Sequence, residues 1–431
     1  MAAPVLEKSL EAASPSWYSE VTRYQWLVLI IASAGWVFDA FEGQLYNLTR
    51  DDLLREILGN ADPHRQALWK DLTLAIFLVG GTIGGIGFGK LADRYGRKPA
   101  MAATILFYAI FSGLTYFATN IWQIAALRFL VALGVGGEWA VAASLVAEIF
   151  PARARARAGG IFHATSVAGT WMAALAALVV GTHWRYAYLV GILPALLVFW
   201  VMVSVREPQR WQQAVASQKP MGSFRELFGV RLWARHAIFG LLLAAVGLGT
   251  FWGVVVAGQD LTKQFLLRHG VDPTTAAARA KFAYGIVQSC GMGLGLLSFG
   301  PLAERLGRRG AFLLMHLAAV AIVPITCYLP QSYGQLLVLL PAFGFFTGGI
   351  HAGYAIYFPE LFPSHLRATG AGVCFNGGRL IAAPVLWFSG VLKARPGIDL
   401  RFAVTMLSSL FLVGAFLLLF LPETKGKPLP E

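Results

Sequence analysis

Five ionisable side chains stand where the sequence surrounds them with hydrocarbon: Asp39, Glu42, Arg128, Glu138 and Arg379, each well inside an apolar run. Such groups are expensive at bilayer depth and by default mark the route of a solute or a proton. Asp39 and Glu42 are spaced i, i+3 and so share one helix face. Two carboxylates that close, with little water, are suited to holding one proton between them, as proton coupling requires. The plain alternative is an acid pair that faces water, against which Asp39 lies ~10 Å or more below the expected end of its run at 1.5 Å per residue. Glu138 follows Arg128 at a distance of about 15 Å along the axis and roughly 80° around it, so the two are not partners within one helix. Arg128 therefore meets an acid on another helix, most plausibly Asp39 or Glu42, or presents its cation to a bound anion. Arg379 follows Asn376-Gly377-Gly378; a guanidinium beside a Gly-Gly break has room to take a carboxylate bidentately. A snorkelling Arg379 is the alternative, and its distance from either end of the run weighs against it.

The elements that position these groups follow from composition. With 57% hydrophobic and 13% charged residues and a mean hydropathy of +0.62, the chain cannot clothe a soluble particle of 431 residues. Twelve apolar runs are long enough to span a bilayer, at about 24–46, 71–92, 98–118, 121–147, 157–182, 185–205, 235–258, 281–303, 310–329, 334–358, 368–391 and 400–421. The period-2 alternation of a membrane barrel is absent, so the expected fold is an all-α membrane protein. The predicted organisation is an N-terminal segment 1–23, a six-helix half 24–205, a polar linker 206–234, a second half 235–421 and a tail 422–431. Residues 1–23 lack the pattern of a secretory signal, and both end segments are too short to fold alone.

The net charge of +13 could suggest a nucleic-acid partner, but its distribution argues otherwise. Of 35 Lys and Arg, 21 fall on the termini and the connections that share their side, 12 on the opposite side and two, Arg128 and Arg379, inside spans. The bias places both termini in the cytoplasm and the partner of the chain is the lipid bilayer. Cys290, Cys327 and Cys374 stand singly inside spans, as small core residues. No Walker sequence, H-E-x-x-H, CxxC or nucleophile constellation is present, so neither an enzyme nor a cofactor or metal is expected.

Two motifs recur. Gly89-Lys-Leu-Ala-Asp93-Arg94-Tyr-Gly96-Arg97-Lys98 returns 211 residues on as Gly300-Pro-Leu-Ala-Glu304-Arg305-Leu-Gly307-Arg308-Arg309, and Glu148-x-x-Pro151-x-x-x-Arg155 returns 212 residues on as Glu360-x-x-Pro363-x-x-x-Arg367. The chain is thus a duplicated membrane unit. On these residues it resembles the major facilitator superfamily over essentially its whole length. The resemblance implies twelve transmembrane helices in two pseudo-symmetric six-helix halves that rock about a central site. It carries a latch role to Asp93, Arg94, Arg97, Glu304, Arg305 and Arg308, with Glu304 a departure from the usual Asp that should weaken the second latch. Glu148, Arg155, Glu360 and Arg367, with Glu207-Pro208 and Pro422-Glu423, resemble the charge network of the sugar-porter and organic-ion branches, and would gate rather than bind substrate.

Local sequences narrow the resemblance. Asp39-Ala-Phe-Glu42 is similar to the D-G-[FY]-D of aromatic-acid:proton symporters, and Trp36 through Glu42 to the matching region of sialate and lactate:proton symporters. Gly136-Gly-Glu138-Trp139 resembles their G-G-E-[YW], and Asn376-Gly-Gly-Arg379 the N-x-G-R of organic-ion transporters. Gln259-Asp260 resembles the Gln-Asp of lactate permeases, but Val256, Gly258 and Gln264 replace the His, Ser and Thr found there, which counts against lactate. The resemblance therefore implies symport of a proton with a small organic anion, a carboxylate, in a bacterial inner membrane by a monomer. Expected substrate contacts are Arg128, Arg379, Asn376, Trp36, Trp252 and Gln259; expected proton carriers are Asp39, Glu42 and Glu138. A neutral sugar-like solute, drug antiport and a solute sensor are the alternatives. His163 and His351 have the chemistry of proton relays, with hydrogen-bonded packing the expectation for each.

Overall fold

A computed structural model describes residues 16–59, 63–181, 183–394 and 398–431; most of the predicted 1–23 segment lies outside these. Nine helical stretches among the described residues are long and apolar enough to cross a membrane by themselves. One of them, Pro273–Tyr328, is two spans, because Gly307 turns the chain at φ 82° and ψ 166°. The stretches 152–180, bent at Thr165, and Arg367–Ala394 complete the twelve-span, all-α arrangement.

Helix starts are set by side chains that satisfy the orphan amides of the first turn. Thr22 and Gln25 form a reciprocal capping box ahead of the first span, and Asn120, Ser332 and Asp399 cap the fourth, tenth and twelfth. Three boundaries differ from the hydropathy reading. The first span runs on to Leu58, because residues 47–58 form a polar extension held by Glu56, which accepts from Trp184 Nε1 at 2.7 Å and pairs with Arg185 at 2.9 Å. The seventh begins at Arg231 and reaches Arg268, and the linker before it holds two short helices, Gln209–Ala216 and Phe224–Gly229. Hydropathy marks where a helix leaves hydrocarbon, whereas hydrogen bonding decides where it ends.

In the glycine-rich run 81–89, Gly81, Gly84, Gly85 and Gly89 are spent on close packing. A Cβ on Gly136 of the fourth span would overlap the Gly81 backbone of the second, so the two helices touch through their main chains. Gly136→Ala is expected to lower stability by about 1–3 kcal/mol through overpacking, read as a drop in melting temperature of the detergent-purified protein.

Candidate functional site

A cavity of about 230 Å³ lies between the two halves. Its ionisable lining among the described residues is Asp39 from the first span, Arg128 from the fourth, His163 from the fifth, His351 from the tenth and Arg379 from the eleventh. Gln44, Asn47, Ser166 and Thr170 add neutral polar groups, and Trp36, Phe77, Phe251 and Trp252 add aromatic wall. Phe251 and Trp252 sit on a widened π turn, Phe251–Val255, whose Val255 carbonyl accepts from Gln288 of a second π turn, Ala283–Gln288. Such turns re-aim side chains where a regular helix would not.

Arg128 is 3% exposed and its guanidinium lies 4.4 Å from the Tyr46 ring and 4.2 Å from Phe77, a cation held between two π faces. Among the described residues its Nε and one Nη have no partner, nor has one Nη of Arg379. No carboxylate among the described residues comes within 4 Å of either guanidinium. Asp39 is 2% exposed, and neither of its oxygens has a hydrogen-bond partner among the described residues.

The other expected acids are separated from the cavity. Glu42 turns to the third span, where Ser112 Oγ donates to it at 2.8 Å, and Glu138 accepts from Thr104 Oγ1 at 2.8 Å. Two expected substrate contacts are placed elsewhere as well. Asn376 is fully buried in the seam, its side chain donating to the Gly136 carbonyl at 3.2 Å while its main-chain carbonyl accepts from Thr82 at 3.0 Å. The reason is one helical turn: Asn376 packs on Gly85 where the halves touch, and Arg379 packs on Gly81 where they have begun to part. Gln259 lies half-buried beyond the π turn and does not line the cavity. Trp36 lines it and donates to the His163 carbonyl at 3.1 Å. Tyr46, Phe77 and the neutral polar lining carry no sequence signal that separates them from packing residues.

At the end of the bundle bearing the repeated motifs the seam is closed by a charge cluster. Arg97 is bidentate to Glu148 at 3.1 and 2.8 Å and pairs with Asp93 at 2.6 Å. Arg308 is bidentate to Glu360 at 2.9 and 2.8 Å in the other half. Each motif glutamate also reaches the other half: Glu148 pairs with Arg367 at 2.5 Å, and Glu360 with Arg155 at 3.9 Å. Asp93 accepts from Ala368 N, Thr369 N and Thr369 Oγ1, the amino end of the eleventh span. Its counterpart Glu304 instead pairs with Arg157 at 2.7 Å in a part-exposed setting. Arg94 and Arg305 are exposed, and neither forms an ion pair with a described residue.

Glu207 and Glu423 explain the two Glu-Pro and Pro-Glu steps. Gly96 (φ 113°) and Gly307 (φ 82°) adopt left-handed turns that leave the next amides free. Glu207 accepts from Arg97 N and Lys98 N at 2.8 and 3.0 Å, and Glu423 from Arg308 N and Arg309 N at 2.9 and 3.0 Å. Burial pushes the Glu207 carboxyl above its ordinary range against these donors. For Glu423, burial also pushes upward, but the amides of Arg308, Lys425, Arg309 and Thr424 prevail and hold it below that range. Its contribution is therefore present above the ordinary carboxylate range and lost as the pH falls through the depressed value. Glu423→Gln should cost about 1 kcal/mol at pH 7, and the melting-temperature gap to the parent should shrink on acidification below pH 4.5.

The sugar (and other) transporter family model matches residues 24–223 and 244–429. A Haemophilus influenzae protein assigned to metabolite transport is 30% identical over 425 residues, covering 95% of this chain and 99% of that protein. The sialic acid transporter NanX of Escherichia coli is 28% identical over 380 residues, covering 86% and 88%. Among solved structures, the proton:xylose symporter XylE superposes with a TM-score of 0.75 at 16% identity, covering 94% of this chain and 98% of that one.

Proposed function

Because the chain belongs to the sugar (and other) transporter family of the major facilitator superfamily, whose members are transporters and not enzymes, we propose that it moves a small organic anion by alternating access, in symport with a proton. The observation that carries the anion is the charge count in the cavity. Among the described residues two guanidiniums, one from each half, line it with one carboxylate, and neither is ion-paired there. A buried cation without a counterion is costly, and a bound carboxylate supplies one. A site shared between halves is also what alternating access needs, since the solute is then bound by both bodies that rock around it. The relatedness to a sialic acid transporter supports an acidic solute, and a cavity below the roughly 300 Å³ of drug-sized sites argues for a small one.

Asp39 is the proton carrier in this reading. Ionised, it competes for Arg379; protonated, it frees Arg379 for the solute, which couples the two binding events. The closed charge cluster lies at the cytoplasmic end by the Lys and Arg bias, so the described state is sealed from the cytoplasm. Bacterial relatives support a plasma-membrane location, and the Lys and Arg bias supports both termini inside. One chain is the transport unit, since it supplies both halves of the site.

Thermal stabilisation of the detergent-purified protein by carboxylates, sugars and organic cations at pH 5.5 and 7.5 tests the solute class. A carboxylate at 100 times its Kd should stabilise by about 2.7 kcal/mol, and Arg128→Gln or Arg379→Gln should remove the effect. Stabilisation by a sugar that ignores both changes would turn the reading to a neutral solute.

A further inference from the structure

Arg128 is compensated by rings and not by an acid. Its guanidinium carbon lies 4.4 Å from the centre of the Tyr46 ring and 4.2 Å from that of Phe77, while no carboxylate among the described residues pairs with it. A ring face attracts a cation through its quadrupole, most strongly where water is excluded. It does so without taking the hydrogen bonds that a carboxylate would take: Nε and one Nη of Arg128 have no partner among the described residues.

The second span holds both rings. Thr73 and Phe77 stand i, i+4 on one of its faces. Thr73 Oγ1 donates its one proton to the Trp69 and Lys70 carbonyls, at 2.6 and 3.1 Å, because a carbonyl only accepts. The Tyr46 hydroxyl is then the donor in its hydrogen bond with Thr73 Oγ1. Tyr46 is thus pinned from behind, 1% exposed, and the described lining of the cavity includes Phe77 and Arg128 but not Tyr46. What Tyr46 does to a bound solute it does through Arg128. The first, second and fourth spans all belong to the N-terminal half, so rocking of one half against the other leaves the cage intact.

We propose that Tyr46 is a positioning residue for the solute: its ring, with that of Phe77, fixes the Arg128 guanidinium as a cation without an acid partner, and so keeps it ready for a bound anion in every state of the cycle. The ligand in this proposal rests on the anion reading; the cage itself does not. A guanidinium already held in place loses less freedom on binding, which is where the gain in affinity comes from.

The test compares Tyr46→Phe with the same ring carrying one, two and three fluorines, introduced as unnatural amino acids in the full-length, detergent-purified protein. Fluorine withdraws charge from the ring face while adding apolar surface. Without ligand, the melting temperature should fall by about 1–3 °C across the series, and the same series combined with Arg128→Gln should stay flat or rise. A ring that only packs gives a flat or rising series in both backgrounds, which overturns the proposal. Binding constants for benzoate, muconate and N-acetylneuraminate supply the second arm. Tyr46→Leu should weaken whichever of these the parent binds by about tenfold, and Tyr46→Phe by no more than about threefold. Along the fluorine series the Kd should hold or fall, because a less compensated cation gains more from an anion. Should Tyr46→Leu misfold, the fluorine series decides alone. Binding that needs Arg128 and ignores Tyr46→Leu leaves the anion reading standing and sinks the positioning role. A fluorine dependence that needs Arg128, in a protein that binds none of these acids, supports the cage and counts against the anion reading.

Discussion

Asp39→Asn is expected to abolish uptake driven by a proton gradient while exchange of labelled for unlabelled solute continues. Asparagine reproduces the shape of the protonated acid and cannot release a proton, so loading and unloading of the coupling ion are lost together. Asp39 is the one carboxylate among the described cavity-lining residues, and no hydrogen bond occupies either oxygen. Glu42 and Glu138 each have one oxygen engaged, by Ser112 and Thr104, and stand behind the wall. Glu42→Gln should therefore reduce accumulation less than Asp39→Asn does. Proteoliposomes with an imposed pH gradient, read for net uptake and for counterflow, separate the two activities. Intact gradient-driven uptake in Asp39→Asn, in Glu42→Gln and in the double variant would sink the coupling assignment.

Glu148→Gln should release the seal at the motif end of the bundle. The Glu148 carboxylate is wholly buried and accepts from Arg97, Arg367 and Ser364, so it joins both halves through a single group. Removing one member of a buried ion pair costs about 3–5 kcal/mol, because the remaining guanidiniums stay in a dry site. If all of that falls on the closed state, the closed-to-open ratio drops by roughly 10²–10⁴. Hydrogen exchange of the Ala368 and Thr369 amides, now bound to Asp93, should quicken by a like factor. Glu304→Gln is the contrast, since its pair with Arg157 is part-exposed and such pairs contribute about 0–1 kcal/mol. Equal exchange in both variants would show that the Asp93 and Glu148 side of the seam is not the one that holds.

The twofold repeat is explicit in the sequence, but the use made of it is not. Glu148 and Arg155 stand seven residues apart in one motif, as Glu360 and Arg367 do in the other. The fold crosses these groups over, tightly for Glu148 with Arg367 and loosely for Glu360 with Arg155. Spacing along a chain reports which groups share an element, and says nothing of which element faces it. Asn376 shows the same limit at smaller scale: it was grouped with Arg379 by its motif, and one turn of helix puts it in the seam and Arg379 in the cavity.

The sequence by itself determined the membrane, the all-α class, the two halves and the short roster of charges that hydrocarbon makes costly. Those are one-dimensional properties: the burial cost of an ionisable group and the length of an apolar run are legible residue by residue. Only the tertiary structure decided that Asp39, Arg128 and Arg379 share one cavity while Glu42 and Glu138 stand behind it. It alone brought the Trp139 indole onto His163 and the Gly348 carbonyl onto His351. The physical reason is that hydrogen bonds and ion pairs act over a few ångströms, and which groups come within that reach depends on how helices pack and rotate against one another.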